Sequence, residues 1–88
     1  MDVSEQLQAE TEKWLAKIRA ERPRVELAEP SKEDFLRNID SYVADAEHFM
    51  FHKDRVRAFE AVVWAWAWLE IGERLGILKK NENLERTA

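Results

Sequence analysis

The chain has 88 residues, 45% of them hydrophobic and 36% charged, and carries a net charge of −4. That describes one small domain with enough apolar matter for a core, which excludes intrinsic disorder, and the acidic balance argues against a dedicated nucleic-acid binder. Cysteine is absent, which excludes disulfides and thiolate metal sites and fits a reducing cytoplasm, while two glycines and two prolines are too few for an all-β design of many tight turns.

The first helix is predicted from about Val3 to Arg22. Asp2 can cap its first turn, with Glu5 three residues on as in a capping box. Leu7, Thr11, Trp14, Leu15 and Ile18 fall on one stripe, while Glu12, Lys13 and Lys17 lie away from it. Pro23 should end the helix, because the residue before a proline avoids the helical region. The segment from Pro23 to Pro30 then reads as a linker, tacked to the bundle by Val25 and Leu27 rather than forming a strand. The acidic, polar N-terminus does not read as a signal peptide.

The second helix is predicted from about residue 32 to 51, with Ser31 as its cap and Asp34 in its first turn. Phe35, Ile39, Tyr42, Val43, Ala46, Phe49 and Met50 build its apolar face, and Glu33 can pair with Arg37 one turn along. The turn His52-Lys53-Asp54 follows, with Asp54 placed to cap the third helix.

The third helix, about 55 to 75, holds the most informative stretch of the chain. Residues 61–69 contain no polar side chain and three of the four tryptophans. Tryptophan alternating with small residues suggests a strand at first. The flanks, rich in Ala, Leu, Glu and Arg and free of proline, favour a helix. At nine residues the run is about half what a membrane span requires. Ala58, Ala61, Ala65 and Gly72 form a line of small residues that permits close approach of another element. Trp64, Trp68, Ile71 and Leu75 flank it on one edge and Val62 and Leu69 on the other, and this broad face is expected to be the core. On that basis Trp64→Ala or Trp68→Ala should cost about 3–5 kcal/mol. The opposite side carries Val56, Phe59, Val63 and Trp66 among Glu60, Glu70 and Arg74, a half-apolar, charge-rimmed surface of the kind that binds a partner. Gly76 suits the left-handed position past the helix end, with Ile77 and Leu78 folding back. Residues 79–88 read as a charged tail that frays.

The fold class expected is all-α, an antiparallel up-down-up three-helix bundle, and the stretches Ser41–Phe49, Arg57–Ala61 and Trp68–Ile77 add a resemblance. They resemble the archaeal family catalogued as domain of unknown function 357, whose members read SYxxDAxxF…GDxxxAFxAxxYAxGWLDAGxRLGL over their second and third helices. The match covers roughly the last two helices. Lys53 stands where the family has a turn glycine, Ala67 for a helix glycine, Glu70 for an aspartate and Ile71 for an alanine. The resemblance implies a bundle similar to the immunoglobulin- and albumin-binding domains, and it implies no activity, cofactor or metal.

Candidate chemistry is sparse. His48 and His52, four apart, with Asp45 a turn earlier, have a spacing that can hold a metal, but the plainer reading is a solvated helix face. Glu60 and Glu70 sit in the most apolar helix, yet ten residues separate them by about 15 Å, too far to cooperate as acid and base. Glu70 can instead pair with Arg74. Lys53, Arg55 and Arg57 form one basic cluster and Arg19, Arg22 and Arg24 another, at opposite ends of an up-down-up bundle. They do not merge into a phosphate-tracking stripe. Neither histidine has an arginine four to six residues upstream, the pattern of certain small helical nucleases. Tyr42, Phe35, Phe49, Trp14 and Trp64 can line a ligand pocket or simply form core. The reading is a cytoplasmic, non-enzymatic module without catalytic, metal or cofactor residues. It binds itself or another protein through Val56, Phe59, Val63 and Trp66; the alternative is an accessory RNA-binding domain working through the Lys53–Arg57 cluster.

Overall fold

In a computed structural model, which describes residues 2–81, helix α1 (Val3–Glu21) begins where Asp2 places it. The Asp2 carboxylate accepts the N–H of Glu5 at 2.8 Å, satisfying one of the donors a helix start leaves free. Thr11, Leu15 and Ile18 are buried along its inner stripe. The one hydroxyl in that stripe is satisfied locally, since Thr11 Oγ1 donates to the Leu7 carbonyl at 2.7 Å. Arg22 keeps helical angles despite preceding Pro23, contrary to the sequence expectation, and the chain tightens into a 3-10 turn over Arg22–Arg24. What stops the helix is therefore the missing proline N–H rather than strain at the preceding residue.

Helix α2 (Asp34–Phe51) starts two residues later than expected. Pro30 organises a separate 3-10 turn over Pro30–Lys32, which absorbs Ser31, and Glu33 precedes α2 without a side-chain cap. Arg37 Nη1 bonds Glu33 Oε1 at 3.0 Å, as the spacing predicted. Helix α3 (Arg55–Arg74) is capped by Asp54, which accepts the N–H of Arg57 at 3.2 Å.

Both α2 and α3 close with the same backbone device. At the end of α2, Asp54 N–H reaches the Phe49 carbonyl and Lys53 N–H the Met50 carbonyl; at the end of α3, Ile77 N–H reaches Gly72 and Gly76 N–H reaches Glu73. Each pair of bonds turns the chain through one left-handed residue. Gly76 takes that position at φ 73° without steric cost, whereas Lys53 takes it at φ 60° with a Cβ in the way, a cost of roughly 1–2 kcal/mol.

The linker and the tail depart from expectation. Val25–Leu27 form strand β1 and Leu78–Lys80 form strand β2, paired antiparallel with Val25 opposite Lys80 and Leu27 opposite Leu78. The turn at Gly76 sends the chain back beside the linker, where Val25, Ile77 and Leu78 are buried together. Their backbone groups then have no water and must pair. Lys79 and Lys80 are thus held rather than frayed, joined to Glu26 at 3.6 Å and Glu21 at 3.1 Å. The rest of the expected tail, 82–88, lies outside the described residues.

Helix α3 is the central element, packed along α2 and α1, which meet each other much less. Its small-residue line is the core: Ala58, Ala61, Ala65 and Gly72 are buried with Val62 and Leu69. Gly72 has a specific reason to lack a side chain. A Cβ there would stand 2.5 Å from Leu78 Cδ1 and 2.8 Å from its Cγ, so the β2 leucine seats directly on the helix backbone.

Candidate interaction surface

The core of α3 is rotated from the expected one. Trp64, Ile71 and Leu75, expected inside, are 55%, 50% and 64% exposed; Val56 and Val63 are 59% and 48% exposed. The reason is where α1 sits. Trp14 packs edge-on against Trp66 with ring centroids 5.7 Å apart, and Trp66 Nε1 donates to the Trp14 carbonyl at 3.1 Å. This draws the Trp66 and Phe59 edge of α3 inward and leaves the Trp64 and Ile71 edge in water. On the other flank, Trp68 meets Phe35 edge-on at 4.8 Å and is half-buried, whereas Trp64 only lies flat beside Tyr42, at 6.1 Å and 21° between planes.

Of the four residues proposed from sequence for partner binding, Val56 and Val63 stand on the outward face. Phe59 and Trp66 are half-buried against the core. Sequence reasoning missed Trp64, Ile71 and Leu75, the largest exposed apolar groups of α3 and its C-terminal cap. What turns them outward is a contact between helices, that of Trp14 on α1 with Trp66.

The outward face is a ridge between two grooves. One, of about 380 Å³, lies toward α1 and is lined by Trp14, Phe59, Val63, Trp66 and Glu70 among others. The other, of about 260 Å³, lies toward α2 between Phe35, Trp64, Trp68 and Ile71. Ala67 borders both. Glu60, Glu70 and Arg74 are exposed along the ridge, and none of them makes an ion pair among the described residues, so the expected Glu70–Arg74 bridge does not form.

A crystal structure of protein AF1782 from Archaeoglobus fulgidus superposes on this fold with a TM-score of 0.83 and 46% identity, covering 90% of this chain and 99% of that one. The model of the family described as "Protein of unknown function (DUF357)" matches residues 8–78. The chain belongs to the DUF357 family. The family match takes in α1 as well as the two helices whose motifs resembled it, and the family has no assigned activity. No curated protein matches the chain. Among the places where this chain departs from the pattern it was found to resemble, Lys53 is the left-handed turn residue, and Trp64, Ala67, Glu70 and Ile71 all lie on the outward side of α3.

The remaining chemistry of this DUF357 chain is engaged in structure. His48 and His52 lie side by side on an exposed face, with ring centroids 4.4 Å apart and the rings tilted by 56°, and among the described residues no group of three or more His, Asp or Glu is placed to hold a metal. Arg57 bonds Asp54 and Arg55 bonds Ser4; Arg19 bonds Glu47, and Arg22 clasps Asp40 with two nitrogens. The two basic clusters sit at either end of the 19-residue α1, about 28 Å apart. No helix among the described residues is long and apolar enough to cross a membrane.

Trp14 is itself held in place by charge. Its Nε1 donates to Glu10 Oε2 at 3.1 Å while Lys13 Nζ lies 3.0 Å from the same oxygen, and Lys17 stands over the ring at 4.5 Å. The hydrogen bond from Lys13, then that from the Trp14 indole, hold the Glu10 carboxyl below its ordinary range. A carboxyl depressed in the folded state adds stability that is present above its unfolded pKa and is lost as pH falls through the folded value. Carboxyl carbon NMR should therefore show Glu10 titrating below the ordinary glutamate value, and Glu10→Gln should flatten the acid limb of stability. A Glu10 midpoint at or above the ordinary value would refute the clamp.

Proposed function

We propose that this protein is a non-enzymatic helical module that docks on a protein partner through the outward face of α3. The observation that carries this reading is the exposure of Val56, Val63, Trp64 and Ile71 on a single helix, with Leu75 at its end, where a solitary bundle would place polar side chains. Large aromatic and aliphatic groups at the centre of such a face are the ones that dominate association energy. The charged rim supplies specificity, as in interfaces generally. The alternative, RNA binding through Lys53, Arg55 and Arg57, is less favoured because two of those three are already bonded within the fold.

Two measurements on one variant test the reading. Trp64→Ala should cost less than about 1 kcal/mol in unfolding free energy, because the ring is half in water and removing it leaves no sealed cavity. The same variant should lose association. A photo-crosslinker placed at Ile71 should form protein adducts, one at Arg37 on the solvated side of α2 should not, and Trp64→Ala should suppress the first. Equal labelling from both positions, or a loss of several kcal/mol on Trp64→Ala, would sink the proposal.

A further inference from the structure

We infer that the partner is a second copy of this chain, packed with its α3 antiparallel to the first across a two-fold axis at Ala67. This rests on the outward face of α3 being a docking surface, and it adds which molecule docks and in what register. The order of residues about Ala67 carries it. Antiparallel helices related by a two-fold at one residue bring to the same level those residues equally far before and after it. Four before Ala67 stands Val63 and four after stands Ile71, both exposed and apolar. Seven before stands Glu60 and seven after stands Arg74, exposed and opposite in charge. At about 100° per residue all five lie within about 40° of the Ala67 direction, so they share one strip.

Each copy would thus lay its Val63 beside the other's Ile71 and its Glu60 beside the other's Arg74, so that each pairing occurs twice in the dimer. Both charges lack an ion-pair partner within the described residues. At the crossing point the only side chain from each copy is a methyl, so nothing bulkier holds the two helices apart there. Three residues from the axis, the second copy's Trp64 falls at the level of Glu70. It lies on the side of the groove formed by Phe35, Trp64, Trp68 and Ile71, which is open and apolar. A parallel pairing would set Glu60 on Glu60 and Arg74 on Arg74, and like charges there oppose it. The same strip is therefore self-complementary in one orientation only.

The test uses the full chain and takes advantage of its lack of cysteine. Sedimentation should give a dimer mass at tens of micromolar. Glu60→Arg and Arg74→Glu should each weaken dimerisation by at least about tenfold, and the double exchange should restore most of it. Ala67→Cys, on the axis, should oxidise to a disulfide-linked dimer, whereas Ser41→Cys on α2 should not. A dimer that ignores both charge variants and does not cross-link at residue 67 overturns this register. A monomer at all concentrations whose Ile71 cross-linker still labels another protein overturns self-association and keeps the docking face. A monomer with no labelling overturns both. Helical circular dichroism on each variant separates loss of association from loss of fold.

Discussion

Leu69→Ala should be among the most damaging single truncations in this chain, lowering the unfolding free energy by about 3 kcal/mol. Leu69 is 1% exposed on the inner line of α3, in one cluster with Ile18 of α1, Ile39 of α2 and Leu78 of β2. Its loss removes methyl groups from a site where helices on both sides are pinned, so the void has little freedom to collapse. For a domain of this size that corresponds to a fall in Tm of about 12–24 °C. Chemical denaturation of Leu69→Ala beside Trp64→Ala is the informative pair, because the tryptophan is the larger residue and should be the cheaper to lose. If the order is reversed, the rotation of α3 described above is wrong.

Gly72→Val should cost about 2–3 kcal/mol although it replaces a helical glycine by a better helix former. The propensity gain is only a few tenths of a kcal/mol. Against it stands overpacking, since the first added carbon would lie 2.5 Å from Leu78 Cδ1 and 3.2 Å from Phe35 Cδ2. Leu78 must leave its seat, and the strand that carries it goes too. The signature is local: the amide protons of Ala28 and Asn81, bonded to Ile77 and Arg24, should lose exchange protection before those of the helices. Unchanged stability with both amides still protected would show that Leu78 is not seated there.

Much of this fold was legible in the sequence because local signals agreed with one another. Asp2 and Asp54 cap where they were expected to, Gly76 turns the chain as a left-handed glycine should, and the Ala58–Ala65–Gly72 line is buried. What sequence could not decide was which flank of that line faces inward. Trp64 and Trp66 are equally apolar and stand on opposite flanks. Only the position of Trp14 on another helix breaks the tie, and that is a contact between residues 52 apart. The two strands were missed for a related reason. Val25-Glu26-Leu27 and Leu78-Lys79-Lys80 are too short to show a period, and each becomes a strand only because the other lies beside it. On the outward face of α3, the exposure of Val56 and Val63 and of the charges was readable, while Ile71, Trp64 and Leu75 had been assigned to the core.

The pairing of β1 with β2 also has a kinetic meaning. Helices α2 and α3 follow one another across a three-residue turn, so their contacts close small loops and form early. The two strands instead join Val25 to Lys80, with both helices lying between them in the chain. The entropy of closing so large a loop must be met before the short ladder returns anything, which places the ribbon late on the folding route. Damage to it then falls mainly on the rate of unfolding, leaving the rate of folding nearly untouched. The ribbon is in this sense a latch: it does little to bring the three helices together and much to set how long they stay so.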